Sequence, residues 1–124
     1  MSTNTHTHTY YYKILPSPPP TPLPETLPLS DLDAKDGFIH LSTAAQTPIT
    51  MDLFFAGDKK LWVLKLRVKD LDGEVRFEEG LEGCPHLFGS ERGLGRGNVE
   101  EVVVVERGEG SGWRGVMEAR ALED

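Results

Sequence analysis

The stretch Asp36-Gly37-Phe38-Ile39-His40-Leu41-Ser42-Thr43 decides the fold. Asp36-Gly37 is a turn signal, because glycine reaches positive φ without strain. Phe38 to Leu41 then reads as a short strand with apolar residues on both faces, which predicts a central place in a sheet. Ser42 and Thr43 follow as natural helix N-caps, since their hydroxyls accept from the unpaired amides of a first turn. Beyond them Ile49, Leu53 and Phe54 recur at helical spacing. Pro48 is tolerated only near the first turn, so the helix is expected from Thr47 to about Ala56, with Gly57 as its stop. A strand thus feeds directly into a helix. Side chains alternate along a strand, so His40 and Ser42 are expected on the same side of this switch. Helix amides converge there, and the chemistry they suit is a phosphate or a ribose hydroxyl. The same histidine reads equally well as a satisfied core residue.

Upstream, Tyr10-Tyr11-Tyr12-Lys13-Ile14-Leu15 is aromatic and β-branched and reads as a first strand that Pro16 ends. Residues 16–28 hold seven of the nine prolines, which imposes an extended, polyproline-like connection. It reads as a stiff surface loop, with a ligand for a proline-binding protein module as the functional alternative. Leu29 to Asp36 allows a short helical turn capped by Ser30 or Asp31. Residues 1–9 are polar, lack an apolar signal core and read as a disordered tail, with His6 and His8 solvated.

Downstream, Leu61 to Val68 is the clearest strand. Trp62, Leu64, Leu66 and Val68 share one face, and Lys65 and Arg67 point the other way. Asp72-Gly73 turns the chain into a short strand from Glu74 to Glu78. Gly80 to Gly97 is expected to be loop. Val99 to Val105 carries four consecutive valines, which predicts burial on both faces and an interior position. Trp113 to Asp124 reads as a short helix or tail, so the globular part is set at residues 10–115 and residues 116–124 follow it. About five or more strands with one to three short helices, and no sustained βαβα alternation, make an α+β domain with a small mixed or antiparallel sheet.

The 124 residues suit one domain, and 38% hydrophobic content is enough for a core. A net charge of −7 argues against general binding to nucleic acid or anionic membranes. Lys59, Lys60, Lys65, Arg67 and Lys69 could still form a local basic stripe. No run approaches the ~18 apolar residues of a membrane span. The lone Cys84 allows no internal disulfide and fits a reducing, cytoplasmic setting.

Glu78 and Glu79 end a strand. A carboxylate there can hold sugar hydroxyls or stabilise a cationic transition state, while the acidic neighbours Asp70, Asp72, Glu74 and Glu82 favour a solvated edge. Cys84-Pro85-His86 lacks the further ligands zinc needs, and no third residue orients a Cys–His nucleophile, so neither metal nor thiol chemistry is read there. Gly93-Leu94-Gly95-Arg96-Gly97 lacks the P-loop lysine and reads as a flexible turn.

The order Asp36-Gly37-Phe38-Ile39-His40-Leu41-Ser42-Thr43, Gln46, Phe54-Phe55, Leu61 to Leu66, Val75-Arg76-Phe77-Glu78 and Pro85-His86-Leu87-Phe88-Gly89 resembles the family called domain of unknown function 952. The resemblance runs from about Tyr11 to Arg107. It implies a compact fold like that of the ADP-ribosyltransferase superfamily. Ile39-His40-Leu41-Ser42 is also similar to the His-Leu-Ser segment of RNA 2′-phosphotransferases. By that likeness His40, Ser42, Thr43 and Gln46 would bind substrate, with Glu78 and His86 as catalytic residues. The substrate would be NAD or an ADP-ribose-type nucleotide, with no tightly bound cofactor or metal. A non-catalytic nucleotide or small-molecule binding module and a protein-interaction domain are the alternatives. Some relatives carry histidine where this chain has Lys13, and often tyrosine where it has Phe88.

Overall fold

The computed structural model describes residues 8–77, 84–110, 112–118 and 120–124. In chain order these form β1 (Tyr10–Leu15), α1 (Asp31–Asp36), β2 (Ile39–His40), α2 (Thr47–Phe54), β3 (Lys60–Arg67), β4 (Glu74–Phe77), β5 (Pro85–Phe88), β6 (Val99–Glu106) and α3 (Trp113–Glu118). The class is α+β, with two antiparallel sheets of three strands, ordered β1-β3-β6 and β2-β5-β4. The sheets meet where the Tyr12 amide donates to the Ser42 carbonyl at 2.8 Å and the Ser42 amide to the Tyr12 carbonyl at 2.9 Å. Among the described residues no helix is long and apolar enough to cross a membrane.

The first sheet has a separate core on each face, and alternation along β1 and β3 explains why. Tyr11, Leu64 and Leu66 join Leu27, Ile39, Leu87 and Leu94 on one side. Tyr12, Ile14, Leu61 and Val63 join Met51, Trp113 and Met117 on the other. Lys13 and Lys65 lie within these apolar alternations and are both buried. A bulge at Lys65/Leu66 shifts the register against β6, so Val99 packs into the first core and Val103 and Val105 into the second.

Four expectations change. β6 is an edge strand: Val103 and Val105 are buried, but Val104 is exposed. β2 is two residues long and also an edge. Pro85–Phe88, expected as loop, is the central strand of the second sheet. Proline is admissible there because it takes the first position of the strand. The helix α2 buries Thr47 and Met51, one turn apart, and leaves Ile49, Leu53 and Phe54 exposed.

The proline-rich segment is laid on the first core through the buried Leu27 and the partly buried Leu23. The glycine run anchors it. The Leu27 amide donates to the Leu94 carbonyl at 2.7 Å, and the Arg96 amide to the Pro24 carbonyl at 2.9 Å. Asn98, itself buried, holds that run by accepting from the Gly95 amide and donating to the Gly93 carbonyl. At Gly95 a Cβ would lie 2.1 Å from the Glu25 carbonyl oxygen, so any side chain forces the two backbones apart. Gly95→Ala is therefore expected to cost about 1–3 kcal/mol in urea unfolding and to speed hydrogen exchange at Leu27 and Arg96. Gly97→Ala, with open space around its Cβ, should stay within ~0.5 kcal/mol of the parent.

Candidate functional site

Three elements bring a histidine, two acids and a lysine together. Ser30 caps α1 by accepting from the Asp33 amide at 3.1 Å. Gly37 ends it at φ 82°, a left-handed position that glycine fills without strain. The turn returns the chain along α1 as β2, so His40 faces Asp33. The Asp33 carboxylate, 2% exposed, accepts from Lys13 Nζ at 2.6 Å and from the His40 amide at 3.1 Å. It also lies 2.7 Å from His40 Nδ1. An ionised carboxylate can only accept, so Nδ1 carries a proton in that contact. Lys13 Nζ donates in addition to the His40 carbonyl at 3.0 Å. On the far side of the ring, Nε2 lies 3.0 Å from Asp36 Oδ2. The His40 side chain remains 22% exposed.

His86 meets His40 from the paired strand β5, residue opposite residue. Their rings sit edge to face with centroids 5.1 Å apart. Phe38 packs on both imidazoles and on Phe88, and the Arg76 guanidinium lies 4.4 Å from the Phe88 ring centroid. His86 is 1% exposed. It supports the His40 ring from below and does not face solvent.

The other expected site residues lie elsewhere. Ser42 Oγ donates to Thr50 Oγ1 on α2 at 3.3 Å, whereas His40 turns to α1. The expected pairing of their polar groups on one side fails, because the chain changes sheets between them. Thr43 Oγ1 accepts from the Gln46 amide at 3.2 Å, and Gln46 Oε1 accepts from the Thr43 amide at 3.0 Å. This reciprocal pair has the pattern of a capping box but closes the turn before α2, whose own N-cap, Gln46, makes no side-chain cap bond, so neither Ser42 nor Thr43 is the cap that the sequence suggested. Glu78 and Glu79 lie outside the described residues. Among the described residues no cluster of three His, Cys, Asp or Glu side chains is placed to hold a metal. The basic stripe is interrupted by ion pairs of Lys59 with Glu109, Lys60 with Glu106, Lys65 with Glu123, and Arg67 with Asp70 and Glu100.

The family described as protein of unknown function (DUF952) matches residues 24–104. The chain belongs to the DUF952 family. The matched span takes in α1, the His40 strand and the His86 strand and leaves out Lys13. Among solved structures, Protein CC0527 from Caulobacter crescentus is similar, with a TM-score of 0.59 and 27% sequence identity over 82% of this chain and 90% of that one. A double mutant of that protein gives the same values. No curated protein matches the chain.

In this DUF952 protein the sequence reading missed Lys13 and Asp33 as site residues. A signal was present in β1, where a lysine interrupts an otherwise aromatic and aliphatic strand, because lysine is almost never fully buried without a partner. Burial pushes the Asp33 carboxyl up, but the Lys13 ammonium and the hydrogen bonds from Lys13 and His40 outweigh it and hold the group below the usual carboxylate range. Burial also holds the Lys13 ammonium below the usual lysine value, despite Asp33. A carboxyl depressed by folding contributes its stability in full above its unfolded value, about 3.9, and loses it as the pH falls through the folded value. The urea midpoint is expected to fall as the pH drops from about 5 to about 2, and to fall less in Asp33→Asn, which cannot titrate there. Equal slopes in the two proteins would rule Asp33 out as a source of the acid sensitivity.

Proposed function

We propose that this DUF952 protein is an ADP-ribosyltransferase-like enzyme that acts on NAD or a related ADP-ribose-type nucleotide, as a transferase or a glycohydrolase. The observation that supports the reading is the stack of Asp33, His40 and His86, which fixes one partly exposed imidazole at the end of a strand. In this reaction the bond from ribose C1′ to the nicotinamide nitrogen breaks, and its electron pair leaves on nicotinamide. The oxocarbenium-like carbon then takes water or an acceptor's nucleophile, which gives up a proton. His40, its Nδ1 held by Asp33, exchanges the exposed Asp36 at Nε2 for a ribose hydroxyl and so orients the sugar. His86 is a positioning residue for that ring. Ser42, Thr43 and Gln46 serve the substrate indirectly, by fixing the strand-to-helix switch beside it. Glu78, one residue beyond β4, supplies the carboxylate that stabilises the developing cation.

Thermal shift and calorimetric titration with NAD, ADP-ribose and nicotinamide test the reading, together with mass spectrometry of the products. Binding of NAD with release of nicotinamide is expected. No binding and no turnover would remove the proposal. Glu78→Gln should lower kcat by about 10²–10³-fold while keeping NAD affinity. Ligand binding without turnover in either protein would instead indicate a non-catalytic binding module.

A further inference from the structure

A second cavity borders Asp33. A cleft of about 160 Å³ opens between β1, α1 and the proline-rich segment, and neither His40 nor His86 lines it. Leu27, Ile39, Leu64 and Leu94 form its walls, and Pro18 to Pro20 form its roof. Its charged feature is the Lys13–Asp33 ion pair, with Ser17 and Ser30 as the other polar side chains that line it. We propose that this cleft binds a small uncharged molecule, about the size of a six-membered ring, whose carbonyl oxygen accepts a hydrogen bond from Lys13.

Three observations set that ligand class. The first is size: an apolar cavity of roughly 150 Å³ accommodates benzene. The second is donor accounting. An ammonium has three N–H groups. Among the described residues, Lys13 spends two of them, on Asp33 and on the His40 carbonyl. The Asp33 carboxylate already faces Lys13, the His40 amide and the His40 ring. The cleft therefore offers a donor more readily than an acceptor, which selects a ligand with an acceptor. The third is charge. Lys13 and Asp33 cancel, so an ionised ligand would lose its hydration without gaining a counter-charge. The roof is held by the glycine run, through the Leu27 and Arg96 backbone bonds. This gives the proline-rich segment a role in the fold's own ligand chemistry, separate from any action on NAD.

The test uses the full chain with ¹³C-labelled Leu, Ile and Val methyl groups, titrated with δ-valerolactam, benzene, cyclohexanecarboxylate and piperidinium. The lactam should shift the methyls of Leu27, Ile39, Leu64 and Leu94, with a dissociation constant about millimolar. Benzene, lacking the acceptor, should bind about tenfold more weakly, and both ions more weakly still. Leu15→Phe, which fills the cleft from its rim, should weaken lactam binding by about tenfold or more without shifting the methyls of the second core. Ser17→Trp blocks the same mouth from an exposed position and should act alike if Leu15→Phe fails to fold. Absence of lactam shifts, equal binding of benzene or of either ion, or unchanged binding in both variants would overturn the proposal. NAD turnover does not enter this readout, so the two sites can fail separately.

Discussion

Asp33→Ala should lower the free energy of unfolding by about 3–5 kcal/mol, measured by urea titration at neutral pH. That is a large share of the roughly 5–15 kcal/mol that holds a domain together. The loss arises because Asp33 is the counter-charge for Lys13, which is 9% exposed and sits between Tyr11 and Leu15 on the face of the first core. Without Asp33 the ammonium keeps, among the described residues, only the His40 carbonyl. The His40 amide and ring nitrogen lose their acceptor at the same time. The pair itself is a different matter. Removing both charges together is often neutral or stabilising by about 1–4 kcal/mol, because neither ion then needs to leave water. Lys13→Met combined with Asp33→Leu should therefore recover the part of the loss that comes from the stranded ammonium, while the unpaired His40 amide and ring nitrogen account for the rest. A cost under about 1 kcal/mol for Asp33→Ala would show that water reaches Lys13 and that the pair is a surface ion pair.

The contrast between single and double replacement bears on why the pair exists. A charge-free core is the easier route to stability. The paired arrangement instead fixes the His40 ring through Asp33 and places the Lys13 ammonium in the wall of the cleft. The two proposed sites thus share one buried carboxylate.

Much of the fold can be read from local pattern, and the failures have physical causes. β1, β3 and the start of α2 follow from alternation, β-branching and the position of Pro48. β5 was obscured because glycines on both sides and Pro85 at its head mimic loop chemistry, while its place at the centre of a sheet depends on non-local pairing with β2 and β4. The valine run of β6 suggests burial on both faces, but the bulge turns Val99 to the first core while Val103 and Val105 face the second, and Val104, opposite Trp62 on the edge strand, stays exposed. Helical spacing identified α2 but not its buried side. Thr47 and Met51 face the second core, while the more apolar Leu53 is 69% exposed. His40 was visible as a candidate because it ends a strand that feeds a helix, although it reads equally well as a core histidine. Asp33 was not, since an acidic residue in a short amphipathic turn defaults to solvent, and nothing local reports that Lys13, twenty positions earlier, lies across from it.

Trp113→Ala should cost about 3–5 kcal/mol as well, but through the other core. Trp113 is fully buried and packs with Met51, Val63, Val103, Val105 and Met117. Its amide donates to Asp52 Oδ1 at 2.7 Å and its indole N–H to the Phe55 carbonyl at 3.0 Å. It therefore fastens α3 to the end of α2 by two hydrogen bonds in addition to its ring. Trp113→Phe keeps most of the apolar volume and leaves the Phe55 carbonyl without that donor, for an expected cost of about 1–3 kcal/mol. The distribution of the effect is the sharper test. Lys13, Asp33 and His40 lie on the opposite face of the first sheet, so a loss at Trp113 should leave their geometry intact for as long as the chain is folded. In Trp113→Ala held well below its midpoint, hydrogen exchange should quicken in α2 and α3, and the Ile39 and Leu64 methyl signals should keep their positions. If those methyls move as far as the ones around Met51, the two cores are one mechanical unit, and β3 transmits strain from one face to the other.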